Sequence, residues 1–350
     1  LIVGGSKERG VVAACSYEAR KYGIHSAMPM ATAMRLCPRA TVVKGTRGEY
    51  SKYSRWVTEI IADKAPLFEK ASIDEFYFFF TGMDKYFNPW QWTIGLRQEI
   101  IDKTGLPISF ALASNKMVAK MATNAAKPNG YMQVKAGMEK EFLSPLPVNT
   151  IPGIGKQTYQ HLLAIGIQTI GDVNLRKQAD LEFLLGSYGQ ELWNKAQGIH
   201  HGAVVPYSEA KSVSTENTFE TSSNDMDFIM SELVRMTERI AYELRQDDKM
   251  AGCIAVKIRY PDFETTSRQM AISYTCYDDE LIPAAKVLFH KLYRKGQSVR
   301  LLGVKLSELT SEARQTNLFE NTEKKTDLYN AIDAVKGRFG KDAISRARTI

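Results

Sequence analysis

A chain of 350 residues, 44% hydrophobic and 24% charged, has the composition of an ordinary soluble globular protein and is long enough for roughly two to four separately cored domains. No stretch approaches the ~18 apolar residues of a membrane-spanning helix and nothing reads as a secretory signal. The four cysteines (Cys15, Cys37, Cys253 and Cys276) lack the spacing of a zinc site or a disulfide frame, so a cytoplasmic protein with no membrane partner is expected. The net charge of +7 favours a polyanionic partner, and it is unevenly spread: residues 1–210 carry 24 Lys and Arg against 18 Asp and Glu, residues 211–310 carry 14 against 15.

LIVGG (1–5) reads as a strand that starts at the first residue, which suggests a chain entering a fold already under way. In CSYEARKYGIHSAMP (15–29), Tyr17 and Arg20 are three apart and so share a face if the segment is helical. A guanidinium beside a phenol suits a triphosphate, because Arg takes phosphate oxygens in bidentate fashion; a solvated surface pair is the plainer alternative. Residues 48–64 have a helical period, with Tyr50, Tyr53, Val57, Ile60 and Ile61 on one stripe.

ASIDEFYFFF (71–80) is predicted as a core-facing strand in which Asp74 and Glu75 stand adjacent among Ile73 and the aromatics Phe76 to Phe80. Burying an ionised pair there costs several kcal/mol, so such a pair is normally protonated, salt-bridged or holding a cation. The alternative is a solvated strand end next to a turn. NPWQWTIGLRQEIIDKTG (88–105) reads as a helix opened by Asn88 and Pro89 and closed by Gly105. LPISFALA (106–113) follows as a strand and SNKMVAKMATNAAKPNG (114–130) as a helix, with Lys127 at its end as a candidate phosphate contact.

Residues 150–200 read as short-looped helices. In PGIGKQTYQHLLAIGIQTIGDV (152–173), Gly153 and Gly155 allow a tight hairpin that exposes backbone N–H groups beside Lys156, a device for holding a nucleic-acid phosphate without reading bases. His25, His200 and His201 have no ligand-like spacing and are read as structural or solvated. After a linker at 201–211 the order is β, α (226–246), β, β, α (282–296), β, a split βαβ sandwich. In CIAVKIRY the alternation puts Ile254, Val256 and Ile258 on the core face and Lys257 and Arg259 on the other, so the sheet can present a basic face, with ordinary solvated strand polarity the plainer alternative. The tail contains QTNLF (315–319), where Gln315 precedes an apolar Leu318–Phe319 pair that suggests a partner groove, with docking on the protein's own core the default, and an amphipathic helix with Leu328, Ile332, Val335 and Phe339 on one face.

In this order, GVVAACSYEARKYGIHSAMP, ASIDEFY, SNKMVAKMATNAAKPNG, IPGIGKQT, KSVSTENTF and GRFGKDAI resemble the Y-family translesion DNA polymerases, and within them the bacterial DNA polymerase IV group, over essentially the whole chain. The resemblance implies a multidomain α+β right-hand fold: fingers at 1–47, palm at 48–135, a helical thumb with a helix-hairpin-helix at 136–203, a linker at 204–211, a split βαβ little finger at 212–310, and a tail at 311–350. It implies a monomer that extends a primer on template DNA with dNTP, at low fidelity and without proofreading. Asp74 and Glu75 would be two of three palm carboxylates that bind two Mg²⁺ ions, with Ser72 the small residue beside them. Tyr17, Arg20 and Lys127 would hold the triphosphate, and QTNLF would bind the sliding clamp.

Two departures stand out. Phe76 and Phe79 replace a small residue and an acid of the family pattern, and the family's Asp-x-Asp strand and steric gate do not occur in the sequence. An inactive DNA- and clamp-binding protein of the same fold is therefore the alternative expectation.

Overall fold

The computed structural model describes residues 1–46, 48–65, 67–206, 209–311, 322–341 and 343–346. The chain forms two compact units, one of Leu1–Gly45 with Glu209–Ile350 and one of Thr46–Ser208. The first unit opens with a sheet of order β2–β1–β3, built from β1 (Ile2–Gly4), β2 (Val12–Cys15) and β3 (Val42–Val43). Between β2 and β3 lie α1 (Tyr17–Arg20), whose cap Ser16 accepts from the Ala19 N–H, and α2 (Met30–Leu36). Ile2, Val12, Ile24 and Met30 form the core beneath this sheet.

In the second unit, α3 (Glu49–Lys64) buries Val57, Ile60 and Ile61, while Tyr50 at the start of its stripe stays exposed. β4 (Phe68–Lys70) and β5 (Phe76–Phe78) pair antiparallel, with Phe68 opposite Phe78 and Lys70 opposite Phe76. The strand expected over 71–80 is therefore three residues long. Residues 71–75 are instead a turn, closed by the Ala71 and Ser72 N–H groups donating to the Glu75 carbonyl at 2.9 and 3.3 Å. The aromatic run misled because it serves two purposes. Phe76 and Phe78 pack on the core of α3 and α4 (Pro89–Thr104). Phe80, past the strand end, joins Phe78, Phe87 and Trp92 in a ring cluster with centroids 5.1 to 6.2 Å apart.

The caps of α4 are those expected. Asn88 accepts from the Trp90 and Gln91 N–H groups at 3.0 and 3.2 Å, and Gly105 ends the helix at φ 71°. β6 (Phe110–Leu112) is shorter than the expected 106–113, since Arg97 takes the Ile108 carbonyl at 2.8 Å. The crossover α5 (Lys116–Ala126) brings β7 (Tyr131–Gln133) parallel to β6. Then come α6 (Glu139–Leu143), a 3-10 turn at Val148–Thr150, α7 (Lys156–Ala164), α8 (Ile170–Asn174), α9 (Gln178–Leu185) and α10 (Ser187–Ala196). They close over Leu143, Ile151, Leu162, Ile167, Leu181 and Leu192. Thr169 and Asp172 form a capping box on α8, and the backbone N–H groups of Thr169 and Gln168 hold the Asp172 carboxyl below its ordinary range.

The first unit resumes with β8 (Ser212–Ser223), α11 (Met226–Gln246), β9 (Met250–Arg259), β10 (Thr265–Thr275), α12 (Asp278–Leu292) and β11 (Val299–Thr310). The sheet order is β10–β9–β11–β8, antiparallel throughout. The two helices and the inner sheet face share a core that includes Phe219, Leu233, Ile254, Val256, Ile258, Phe289 and Leu302. α12 begins at Asp278 rather than at the expected 282, since Asp278, Asp279 and Glu280 in its first turn suit the positive end of the helix dipole.

The tail helix α13 (Thr322–Phe339) packs by a different face from the one expected. Ile332 does join the core, but Leu328 and Phe339 are exposed. Docking runs through Tyr329, stacked on Tyr277 at 5.0 Å, through Asp333 on Arg245, and through Lys336, which is buried. Among the described residues no helix is long and apolar enough to cross a membrane.

Candidate active site

Asp74 and Glu75 sit in the turn between β4 and β5, Asp74 exposed and Glu75 partly so. This corrects the expected buried pair: the Asp74 carboxylate is open to solvent and that of Glu75 is partly so. A turn also frees adjacent side chains from the opposite-face rule of a strand, so neighbouring acids can serve one centre. The Ser72 hydroxyl donates to Asp74 Oδ1 at 2.7 Å. Lys120 Nζ, from α5, pairs with Glu75 Oε1.

One turn earlier on α5, Lys116 donates to both oxygens of Glu69 at 2.9 and 2.7 Å. Glu69 also accepts from the Val205 N–H at 2.8 Å, and the Lys116 ammonium lies 5.2 Å from the Tyr77 ring centre. Burial pushes the Glu69 carboxyl up, but the bonds from Lys116 and Val205 outweigh it and leave the group below its ordinary range. Burial raises the Tyr77 phenol, and the Glu69 charge adds to that. Burial also lowers the Lys120 ammonium, helped by the charge of Lys127 and opposed by that of Asp74. Lys120, Lys127 and Asp74 thus share one electrostatic neighbourhood.

Lys127, exposed, caps the C-terminus of α5. The segment after it is clamped by Arg97, which donates to the Asn129 carbonyl at 3.0 Å and to Asn129 Oδ1 at 2.6 Å. The Arg97 guanidinium also lies 5.8 Å from the Tyr131 ring centre. The sequence reading missed Glu69, Arg97, Lys116 and Lys120; the one signal available was the four-residue spacing of Lys116 and Lys120. Tyr17 and Arg20 belong to the other unit. They share a single helical turn, both exposed, with the guanidinium 5.7 Å from the phenol ring centre.

Asp74 and Glu75 offer hard oxygen donors of the kind Mg²⁺ prefers. Among the described residues no cluster of three or more His, Cys, Asp or Glu side chains could hold a metal. The pair fits a magnesium site in which one or two carboxylates are completed by water and substrate phosphates, rather than a cage built wholly of protein.

The hairpin before α7 carries Gly153 at φ 97°, while Gly155 and Lys156 stand exposed at the helix start. Lys195 donates to the Pro152 carbonyl at 3.1 Å. On the second sheet, Lys257 and Arg259 alternate with the buried Ile254, Val256 and Ile258, on the face opposite the core. Part of that charge is compensated: Lys257 pairs with Glu216, and Arg259 Nε donates to Thr265 Oγ1 at 2.8 Å. Gln315, Leu318 and Phe319 lie outside the described residues.

Residues 1–124 match the impB/mucB/samB family and residues 210–318 match that family's C-terminal domain. Over 353 aligned residues the chain is 37% identical to the DNA polymerase IV of Dehalococcoides mccartyi, covering 100% of this chain and 90% of that one. It is 33% identical over 356 residues to the DNA polymerase IV of Treponema denticola, with the same coverage. The chain belongs to the Y-family DNA polymerases, in the DNA polymerase IV group. Among solved structures, the polymerase resembles a Y-family chimera of Dbh and Dpo4 with a TM-score of 0.78 and 27% identity, covering 89% of this chain and 92% of that one. It also resembles an insertion ternary complex of Dbh DNA polymerase, with a TM-score of 0.62, 26% identity and coverage of 87% and 90%.

Proposed function

We propose that this DNA-directed DNA polymerase performs translesion synthesis, transferring a nucleotide from dNTP to a primer 3′-hydroxyl at a centre formed by Asp74 and Glu75. The observation that supports it most strongly is the pair of adjacent carboxylates in the turn after β4, Asp74 exposed and Glu75 partly so, with the Lys120 ammonium on Glu75. Two Mg²⁺ ions bound there would activate the 3′-hydroxyl and neutralise charge on the triphosphate and the departing pyrophosphate. Ser72 fixes the Asp74 carboxylate, while the Glu69–Lys116 pair holds the hairpin to α5. Lys127, steadied by Arg97, and the Tyr17–Arg20 pair bind phosphate oxygens. Low fidelity, absence of proofreading, the monomeric state and a cytoplasmic location belong to the same proposal. The catalytic assignment is tested by primer extension with either acid neutralised.

DNA is held by its backbone in this reading, through Gly153, Gly155 and Lys156 at the hairpin and Lys257 and Arg259 on the sheet. Affinity for primer-template should then fall steeply with salt and vary little with sequence. Lys156→Ala should reduce the slope of log affinity against log salt by about one unit if the ammonium meets one phosphate. An unchanged slope removes the hairpin from the DNA contacts.

QTNLF is proposed to insert Leu318 and Phe319 into an apolar groove of a sliding clamp. Replacing both with Ala should weaken clamp binding by about 2 kcal/mol or more while leaving synthesis without the clamp at the parent rate. A fall in clamp-free synthesis, with loss of fold, would assign the segment to the protein's own core.

A further inference from the structure

Lys116 and Lys120 occupy successive turns of one helix face, and each meets a carboxylate of the hairpin formed by β4 and β5: Lys116 meets Glu69, and Lys120 meets Glu75. The two pairs differ in setting. The Lys116–Glu69 side chains are 20% and 18% exposed, and Glu69 is further tied to the Val205 N–H, as suits a permanent fastening. The Lys120–Glu75 side chains are 25% and 38% exposed and open onto the turn that carries Asp74. Asp74, by contrast, is held by the neutral hydroxyl of Ser72. Of the two acids proposed to bind metal, one is anchored by a dipole and the other is occupied by a full positive charge.

We propose that Lys120 is the counter-cation of Glu75 in the metal-free enzyme and that it must release the carboxylate when a divalent ion binds, so that ammonium and metal compete for one ligand. This rests on Asp74 and Glu75 forming the metal centre. A divalent ion on Glu75 and an ammonium on the same carboxylate repel each other at contact distance, and at a half-exposed site that repulsion is only partly screened. The pair therefore holds Glu75 in one rotamer before metal arrives and biases the empty centre against adventitious ions. On release, the ammonium of Lys120 would add positive charge beside the carboxylates, where phosphate is expected. Lys120 is thus a positioning residue whose partner changes between the two states.

The test is the affinity for Mn²⁺ of the full chain without DNA or nucleotide, read from the electron paramagnetic resonance signal of free Mn²⁺. Lys120→Met keeps an unbranched side chain one atom shorter and removes the charge, and should tighten Mn²⁺ binding about tenfold, since the competing cation is gone. Lys120→Arg keeps the competitor and should bind Mn²⁺ as the parent does, which separates a charge effect from a packing effect. Unchanged or weaker binding in Lys120→Met overturns the proposal, as does tightening of equal size in Lys120→Arg. Asp74→Asn and Glu75→Gln in the same titration test the underlying reading: if both bind Mn²⁺ like the parent, the metal centre lies elsewhere and that reading fails. If they lose binding while Lys120→Met does not gain it, only the role of Lys120 fails.

Discussion

Asp74→Asn or Glu75→Gln is expected to slow primer extension on the order of 10³-fold or more, while primer-template affinity changes by only a few fold. The asymmetry follows from where the charges act. Metal held by these carboxylates would stabilise charge that develops in the transition state, an effect of several kcal/mol, whereas in the proposed reading DNA is gripped by cationic groups and backbone N–H groups elsewhere. The turn should survive both substitutions, because its closing bonds run from backbone N–H groups to the Glu75 carbonyl, although Glu75→Gln gives up the charge paired with Lys120. Single-turnover incorporation measured beside equilibrium DNA binding checks this. Extension within tenfold of the parent in both variants would remove the pair from the chemistry.

Arg245→Ala should destabilise the four-stranded sheet and its helices by about 3–5 kcal/mol, the cost of leaving buried charge without its partner. The Arg245 side chain is 8% exposed. It donates to Asp333 at 2.7 and 3.0 Å, to Asp278 Oδ1 and the Cys276 carbonyl at 2.8 Å each, and lies 4.6 Å from the Tyr329 ring centre. Removing it strands two carboxylates and loosens α13. Burial already holds the Asp278 carboxyl above its ordinary range, against the pull of Arg245, Lys336 and Arg346; without Arg245 it should rise further.

A carboxyl whose folded pKa exceeds its unfolded value keeps its proton better when folded, so its contribution to stability falls as pH rises through that window. The defect of Arg245→Ala should therefore be smaller in mild acid than at neutral pH. Hydrogen exchange of β9 and β11 amides at the two pH values reads both effects. A loss under about 1 kcal/mol, or one independent of pH, would show that the carboxylates find other compensation.

Where residues act on their near neighbours, the sequence was legible. Asn88, Pro89 and Gly105 bound their helix as expected because capping is a local backbone interaction. Ile254, Val256 and Ile258 turned inward because strand alternation is fixed by geometry. The turn at 71–75 was hidden because its flanks are aromatic for separate reasons, Phe76 and Phe78 to cover a helix pair and Phe80 to join the cluster around Trp92. The face of α13 was misjudged because it docks largely by an ion pair, a ring stack and a buried Lys336, so the apolar stripe, of which only Ile332 joins the core, does not mark the docking face. Lys116 and Lys120 look like solvated helix charges until the fold brings in carboxylates 47 and 45 residues away.

The central claim is that Asp74 and Glu75 carry the metal at which the nucleotide is transferred. A crystal structure of the polymerase with primer-template DNA, an incoming non-hydrolysable dNTP and Mg²⁺ tests it most directly. The account predicts metal about 2.0–2.1 Å from oxygens of both carboxylates and from the triphosphate, the distance and ligand set Mg²⁺ demands. Metal and triphosphate seated away from both side chains, with the turn at 71–75 open to bulk water, would contradict it.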